Sequence, residues 1–216
     1  MIDVERQDRH RAITAAAYRL LEAKGYGGTS MLRVARAARA SNETLYRWYG
    51  DKNGLFAAMV EDNAAEVRRV IESALDQDSD PMETLARAAP ILLDLLLGNR
   101  AILLNRAAAA DPSGDLGRAL SSGARAAVMP QLQRLMVRIG ARTGTPAGGT
   151  SGAGAGTSAG PGQQMAPTAM ASTFLGLLVG DLQIRQVIHD LGPLTEAEIA
   201  ARAAQALATF RRIVEG

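Results

Sequence analysis

Residues 29–59, with the sequence TSMLRVARAARASNETLYRWYGDKNGLFAAM, constrain the fold more than any other part of this chain. Thr29 or Ser30 can cap one short helix, and Ser41 can cap a second short helix that ends near Tyr49. Aromatic and basic residues cluster on the second helix. Two short helices joined by a tight turn are typical of a helix-turn-helix, which presents its second helix to the major groove of DNA.

The remaining pattern predicts an all-α protein. Hydrophobic residues make up 47% of the chain and aromatic residues only 4%, so the core must consist mainly of alanine and aliphatic residues. Alanine is the strongest helix former, and no alternating strand pattern stands out. In the first helix the apolar residues recur at i, i+3, i+4, i+7 and i+8, and they are Ile13, Ala16, Ala17, Leu20 and Leu21. Further helices are predicted after the capping residue Asp51, at about 82–97, 100–110, 116–139 and 167–191, and after a capping box formed by Thr195 and Glu198.

Composition divides the chain into two predicted domains. Residues 1–53 form the helix-turn-helix DNA-binding domain, and residues 54–216 form a helical domain for ligand binding and dimerisation. Residues 140–162 hold nine glycines among 23 residues, the others being mostly alanine, threonine, serine and proline. Such a segment lacks the apolar content to fold, so we expect a flexible glycine-rich tether at 140–164. Pro90 and Pro130 are expected to kink or split their helices.

Charge and residue usage narrow the class of function. Residues 1–60 carry ten Lys/Arg against six Asp/Glu, which suits an anionic partner. The absence of cysteine excludes disulfides and thiolate chemistry. The apolar segments 91–97 and 174–179 are too short to cross a membrane, so we expect a cytoplasmic protein without a membrane partner. His10 and His189 lie in different predicted domains, and no phosphate-binding glycine loop or metal-ligand cluster is recognisable. We therefore expect no enzyme activity, cofactor or metal.

Specific side chains of the second short helix suit DNA recognition. Arg47 could bind a guanine edge with both guanidinium nitrogens, Asn42 could do the same for adenine, and Thr44 could touch a thymine methyl group. Leu45 and Tyr49 would hold the buried side of the helix. The full set of predicted DNA contacts is Thr29, Ser30, Ser41, Asn42, Glu43, Thr44, Tyr46, Arg47, Trp48 and Lys52. A structural helical hairpin with solvated polar residues is the alternative, but it explains poorly why aromatic residues concentrate there.

The C-terminal region carries more apolar residues than a simple hairpin of helices needs. Gly176 and Gly180, four residues apart, would allow another helix to approach closely. We therefore predict a dimer interface that includes Phe174, Leu175, Leu178, Leu182 and Phe210, with an intramolecular core as the alternative. Candidate residues for a ligand pocket are Leu92, Leu96, Leu103, Arg106 and Met136, each of which could instead belong to ordinary core or surface.

The run GYGGTSMLRVARAARASNETLYRWYGDKNGLFAAMV resembles the DNA-binding domain of the TetR family of bacterial transcriptional regulators. The residues that carry the resemblance are Thr29, Ser30, Val34, Ala35, Ser41, Thr44, Leu45, Tyr46, Tyr49, Lys52 and Leu55. The resemblance implies that Tyr46 and Lys52 contact phosphates, and that Thr44 and its neighbours read the bases. Two positions depart from the family pattern. Arg39 stands where glycine is usual, so either it adopts a positive φ at some cost or the turn differs slightly, and Trp48 stands where histidine is frequent.

The resemblance also implies the assembly and the mode of action. The body segment GNRAILLNRAAAADPSGDLGRAL is similar to the C-terminal domain of the AefR-like branch. The family pairs its last two helices with those of a second copy in a four-helix bundle. We therefore expect a homodimeric repressor that a small-molecule effector releases from a palindromic DNA operator. The alternative is a DNA-binding architectural or structural dimer that responds to no effector.

Overall fold

The computed structural model describes residues 2–75, 80–142 and 165–215, so most of the predicted tether at 140–164 lies outside the described residues. Within these ranges every regular element is an α-helix, which confirms the all-α expectation. The helices are α1 (Ile2–Gly28), α2 (Met31–Ala37), α3 (Asn42–Tyr49), α4 (Lys52–Leu75), α5 (Pro81–Leu97), α6 (Asn99–Ala109), α7 (Asp115–Arg142), α8 (Pro167–Val179), α9 (Leu182–Val187) and α10 (Glu196–Glu215).

Side-chain caps fix the beginnings of α2, α3 and α10 as the sequence predicts. Ser30 and Ser41 are the N-caps of α2 and α3, and the Ser41 hydroxyl accepts a hydrogen bond from the Thr44 amide at 3.0 Å. Before α10, the Thr195 amide donates to the Glu198 carboxylate at 2.7 Å and the Glu198 amide donates to the Thr195 hydroxyl at 3.3 Å. This reciprocal pair is the predicted capping box.

Breaks in the helices follow glycine rather than proline. Pro90 and Pro130 each lie inside one continuous helix, α5 and α7. The predicted single helix over 167–191 is wrong, because Gly180 adopts φ 51° and ψ −130° and separates α8 from α9. A β-carbon at Gly180 would lie 2.6 Å from a guanidinium nitrogen of Arg202, whose Nε donates to the Leu178 carbonyl at 2.9 Å. Arg202 thereby caps the C-terminus of α8.

The described residues form two compact units. The first contains Met1–Glu66, Leu96–Ala126 and Leu182–Pro193, and the second contains Val67–Leu95, Ala127–Asp181 and Leu194–Gly216. The predicted domain boundary after residue 53 falls within the first turn of α4, which continues without interruption to residue 75.

Each unit has its own buried apolar residues. In the first unit the core includes Ile13, Leu21, Val34, Leu45, Phe56, Met59 and Leu104. In the second unit α8 packs against α10, with the rings of Phe174 and Phe210 in an edge-to-face arrangement at 5.3 Å between centroids.

Among the described residues no single helix is both long and apolar enough to cross a membrane. Only α5 and α6 taken together, across the bend between them, reach that length and apolarity.

Candidate nucleic-acid interface

The turn between α2 and α3 is built on a strained backbone position. Arg39 adopts φ 51°, as expected for a non-glycine residue at this place in the turn. The Ala40 amide donates to the Ala35 carbonyl at 2.9 Å, which closes the end of α2. A guanidinium nitrogen of Arg9 donates to the Arg39 carbonyl at 3.3 Å, so α1 also contacts the turn. The turn therefore holds α3 at a fixed angle to α2.

One side of α3 is left free for a partner. Asn42, Glu43, Tyr46 and Arg47 are exposed, whereas Leu45 is completely buried. At 3.6 residues per turn these four side chains form two i, i+4 pairs on one continuous arc of the helix. The arc presents an amide, a carboxylate, a phenol and a guanidinium group, which are groups that can bind base edges and phosphates.

Trp48 does not belong to this exposed arc. It is half-buried, packs against the core cluster of the first unit and contacts Tyr49 at 6.3 Å between ring centroids. The guanidinium carbon of Arg6 lies 5.6 Å from the centre of the Trp48 ring. The helical period places Trp48 on the opposite side of the helix from the arc, and its predicted contact with DNA stays a prediction.

Burial also argues against a phosphate contact by Thr29. Its side chain is only 1% exposed, and its hydroxyl donates to the Gly25 carbonyl at 2.9 Å. Gly25 has φ 64° and breaks the helical geometry within α1, so its carbonyl lacks a helical partner. Thr29 satisfies this carbonyl and leaves the exposed Ser30 to cap α2.

Lys52 is engaged inside the protein. Its ammonium group donates to the Tyr26 carbonyl at 2.5 Å and lies 3.5 Å from the centre of the Tyr26 ring. Partial burial lowers the pKa of Lys52, and the nearby Asp111 carboxylate opposes that shift. The Tyr26 hydroxyl in turn donates to the Asn53 side chain at 2.6 Å. A phosphate contact by Lys52 therefore requires its ammonium group to leave the Tyr26 carbonyl.

His10 belongs to the site although the sequence reasoning gave it no role there. Its Nδ1 lies 2.8 Å from the Tyr49 hydroxyl and its Nε2 lies 2.7 Å from a carboxylate oxygen of Asp62. These partners are 39 and 52 residues away, so spacing along the chain does not reveal them. The available signal was that His10 lies three residues before Ile13, on the inward face of α1.

The predicted dimer residues have a different role from the expected one. Phe174, Leu178 and Phe210 are completely buried within one chain, where they join α8 to α10. They are therefore wrong as side chains that contact a second copy, because no surface of theirs is left for one. Leu175 and Leu182 are half-buried.

The five predicted pocket residues do not share one compact unit. Leu96, Leu103 and Arg106 lie in the first unit, and Leu92 and Met136 lie in the second. The guanidinium group of Arg106 donates to the carbonyls of Gln186 at 2.6 Å and Val187 at 3.1 Å. Arg106 thus caps the C-terminus of α9, and its role in a pocket stays a prediction.

The capped, exposed α3 and the tight turn that holds it against α2 define a helix-turn-helix DNA-binding protein. Residues 13–59 match the family model for bacterial regulatory proteins of the tetR family. The helix-turn-helix is thus similar to that of the TetR family, whose members are transcriptional regulators rather than enzymes. The match ends at residue 59, so the similarity of the body to the AefR-like branch stays a prediction.

Known proteins with similar sequences and structures agree with this assignment. A TetR-family transcriptional regulator from Mesorhizobium loti MAFF303099 is 25% identical, with a TM-score of 0.76 over 96% of each chain. A TetR transcriptional regulator from Agrobacterium tumefaciens is 26% identical, with a TM-score of 0.68 over 95% of this chain and 94% of that one. The HTH-type transcriptional regulator HbdR of Aromatoleum sp. (strain CIB) is 27% identical over 82 residues. That alignment spans 38% of this chain and only 36% of HbdR.

Proposed function

We propose that this protein is a homodimeric transcriptional repressor whose α3 reads the major groove of a palindromic operator. The exposed arc of Asn42, Glu43, Tyr46 and Arg47 carries this proposal. These side chains are exposed, and they lie on the helix that follows the Arg39 turn. Two such helices, related by two-fold symmetry, would occupy half-sites about 34–36 Å apart.

The exposed residues divide between base reading and phosphate binding. Arg47 suits the N7 and O6 acceptors of guanine, and Asn42 suits adenine. Thr44 is half-buried and shares a hydrogen bond of 2.8 Å with the Ser41 hydroxyl, so its methyl group is the part best placed for a thymine. Tyr46, which is 50% exposed, and Ser30 at the N-cap of α2 suit phosphate oxygens.

Lys52 remains a proposed phosphate contact, provided that its ammonium group can leave the Tyr26 carbonyl. The ammonium group must exchange the Tyr26 carbonyl for a phosphate oxygen, which is the stronger partner because it is charged. The exchange would also release the ammonium group from its partly buried position, which lowers its pKa in the DNA-free protein.

For the dimer we propose the outward faces of α8 and α10 in place of the buried residues. On α8 the exposed residues Ala169, Ser172 and Gly176 follow one another at i, i+3 and i+7. On α10 the exposed residues Ala197, Ala201, Ala204 and Ala208 form a stripe at i, i+4, i+7 and i+11, which continues into the exposed Arg211 and Glu215. Faces made of small residues allow helix backbones to approach closely, which supports pairing with the same helices of a second copy.

We further propose that a small-molecule effector binds in the helical body and releases the operator. Release requires that the effector bind the non-DNA-binding conformation more tightly than the DNA-binding one, because equal affinity shifts nothing. The alternative function, a DNA-binding dimer without an effector, makes a different prediction. A thermal-shift screen of a metabolite panel separates the two: the repressor requires a compound that both stabilises the protein and weakens operator binding.

The DNA-binding proposal is tested by selection from a random duplex library with the purified protein. We expect enrichment of a palindromic sequence with half-sites one helical turn apart, or a multiple of that distance. A library in which no sequence is enriched after repeated rounds would refute sequence-specific binding. The enriched duplex and its scrambled version then serve as the probes for the variants described below.

A further inference from the structure

His10 connects three helices of the first unit through two hydrogen bonds. The ring belongs to α1, its Nδ1 meets the hydroxyl of Tyr49 on α3, and its Nε2 meets the carboxylate of Asp62 on α4. Tyr49 is the last residue of α3, whose opposite end is capped by Ser41. The Tyr49 side chain is therefore a tether at the C-terminal end of the helix that carries the exposed arc.

We propose that His10 is a positioning residue for the DNA-reading helix, acting through the hydroxyl of Tyr49, with Asp62 fixing the orientation and tautomer of the imidazole. This inference rests on the proposed function of α3, because the consequence of the tether is the orientation in which Arg47 and Asn42 meet the bases. His10 itself touches no part of the exposed arc.

The partners of His10 determine which ring nitrogen carries the proton. An ionised carboxylate can only accept hydrogen bonds, so Nε2 must donate to Asp62. In the neutral ring Nδ1 is then an acceptor, and the Tyr49 hydroxyl donates to it. Burial raises the pKa of Tyr49 to about 12, with Asp62 adding to the shift, so this hydroxyl keeps its proton at neutral pH. In both hydrogen bonds, from the Tyr49 hydroxyl to Nδ1 and from Nε2 to the Asp62 carboxylate, a donor thus meets an acceptor.

Hydrogen bonds rather than tight packing hold the imidazole in place. The ring borders two spaces, of about 660 Å³ on the side of Trp48 and about 540 Å³ on the side of Tyr18. Its side chain remains 29% exposed. Loss of either hydrogen bond therefore leaves the ring free to turn, whereas a tightly packed side chain would keep its place.

The charged groups around His10 do not offer a competing partner at hydrogen-bond distance. Those that line the two spaces are Arg6 and Arg11 on α1, Glu61 and Glu66 on α4, and Arg100 on α6. Arg100 pairs with Glu66 at 3.1 Å, and Arg11 pairs with Asp8 at 3.4 Å. The close contacts of the His10 ring nitrogens are Tyr49 and Asp62.

Two conservative substitutions separate the two nitrogen positions. The carboxamide of asparagine reaches about the position of Nδ1, and that of glutamine reaches about the position of Nε2. His10→Asn should therefore keep an acceptor for the Tyr49 hydroxyl, whereas His10→Gln should keep only the donor to Asp62. Tyr49→Phe removes the hydroxyl while leaving the ring. Gln7→Ala is the matched control, because Gln7 borders the same two spaces on the same helix.

The measured quantity is the ratio of the affinities for the selected duplex and its scrambled version. Loss of one net hydrogen bond predicts that His10→Gln and Tyr49→Phe lower this ratio about fivefold, with no further loss in the double variant. His10→Asn and Gln7→Ala should stay within about twofold of the parent protein. Global destabilisation would lower binding to both duplexes and leave the ratio unchanged.

A second measurement needs no DNA and keeps this inference separate from the proposed function. Hydrogen exchange of the α3 amides should be faster in His10→Gln and Tyr49→Phe than in His10→Asn and the parent protein. Equal exchange and equal ratios for the two His10 variants would overturn the positioning role.

If no duplex is ever selected, the proposed function fails, while the exchange experiment still decides the role of His10. If His10→Gln does not fold, Tyr49→Phe alone decides it.

Discussion

Arg47 is the residue of α3 that is best placed to discriminate between bases. It is exposed near the end of the helix, and within the described part of the chain no hydrogen bond or ion pair occupies its guanidinium group. A free guanidinium fork can bind guanine through two hydrogen bonds, whereas an engaged one must first break its internal contact. Lys52, by contrast, is partly buried and its ammonium group is already bound to the Tyr26 carbonyl.

We predict that Arg47→Ala weakens binding to the selected duplex by about 1–3 kcal/mol while changing the affinity for scrambled DNA much less. The loss should concentrate at one base pair of each half-site, because a bidentate contact discriminates one base. Fluorescence anisotropy with duplexes substituted at each position measures this effect. Arg19→Ala is the control, since it removes the same charge from an exposed position of α1. Equal losses on specific and scrambled DNA would contradict a base-reading role.

The backbone of Arg39 stores strain that a single substitution can release. Its φ of 51° costs about 1–2 kcal/mol for a residue with a β-carbon, whereas glycine adopts this angle freely. Glycine also increases the conformational entropy of the unfolded chain, which offsets about 0.4–1 kcal/mol of that gain. We predict that Arg39→Gly raises the free energy of unfolding by about 0.5–1 kcal/mol, measured by urea denaturation. Arg36→Gly, within α2, should instead lower it by about 1 kcal/mol. A loss of stability in Arg39→Gly would show that the side chain has a role in the turn.

At the scale of the helices, short polar side chains cap the beginnings of several elements. Asp111 accepts hydrogen bonds from the amide and hydroxyl of Ser113 and from the amide of Leu116 at 3.0 Å, and so caps the start of α7. The Leu116 amide lowers the pKa of Asp111, with the hydrogen bonds from Ser113 acting in the same direction. The carboxylate is therefore more stable in the folded than in the unfolded protein.

The depressed pKa of Asp111 makes the stability of the protein depend on pH in a defined direction. A carboxyl group whose folded pKa lies below the unfolded value of about 3.9 stabilises the fold above that value, and the effect is lost as the pH falls through the folded pKa. We predict that the free energy of unfolding of Asp111→Asn falls less than that of the parent protein between about pH 5 and pH 3. Asp115→Asn is the control, because Asp115 is exposed and pairs with Arg118. Parallel pH profiles for parent and Asp111→Asn would contradict this prediction.

The helices could be predicted from the sequence wherever local signals determine them. The caps at Ser41 and at Thr195 depend on residues within a few positions of each other, whereas the positive φ at Arg39 was expected from the family resemblance. The break at Gly180 was missed, because an isolated glycine in an apolar run is compatible with a continuous helix, and Arg202, which caps the broken end, lies 24 residues away from Leu178.

Several side chains predicted to contact DNA have partners within the protein that the sequence pattern did not reveal. Thr29 turns inward because Gly25 leaves a carbonyl unpaired, and Lys52 turns toward Tyr26 on the end of α1. Trp48 was predicted to contact DNA, but Leu45 fixes the buried side of α3 and the helical period carries Trp48 toward that side. Sequence patterns predict which residues share a helix face, whereas packing decides which face is covered.

At the scale of the whole molecule, the proposed function requires two copies whose reading helices are held at one separation. The buried contact between Phe174 and Phe210 joins α8 to α10 within each chain and leaves their outward faces for a partner. A charge at Leu178 or Phe210 would therefore disrupt the internal core before it could test the dimer. The exposed Gly176 and Ala204 offer cleaner positions.

We predict that Gly176→Arg and Ala204→Arg produce monomers. A β-carbon at Gly176 meets no atom within 4 Å in the single chain, so the larger side chain should not disturb the monomer fold. Light scattering coupled to gel filtration measures the mass, and the variants should lose most of their affinity for the palindromic duplex but keep that for one half-site. Ala124→Arg on the exposed side of α7 is the control. Dimer mass in both variants would refute the proposed faces.

The small residues on the outward faces of α8 and α10 also bear on the choice of partner. A bacterial cell that makes many regulators of one fold must keep their subunits from exchanging. Large apolar side chains would adhere to many surfaces, whereas a shallow face of alanine, serine and glycine gains contact only from a surface that is equally shallow. Any relative with a bulkier side chain at a facing position would be held too far away to pair. The proposed interface would thus exclude foreign subunits by shape, and each regulator would keep its own operator.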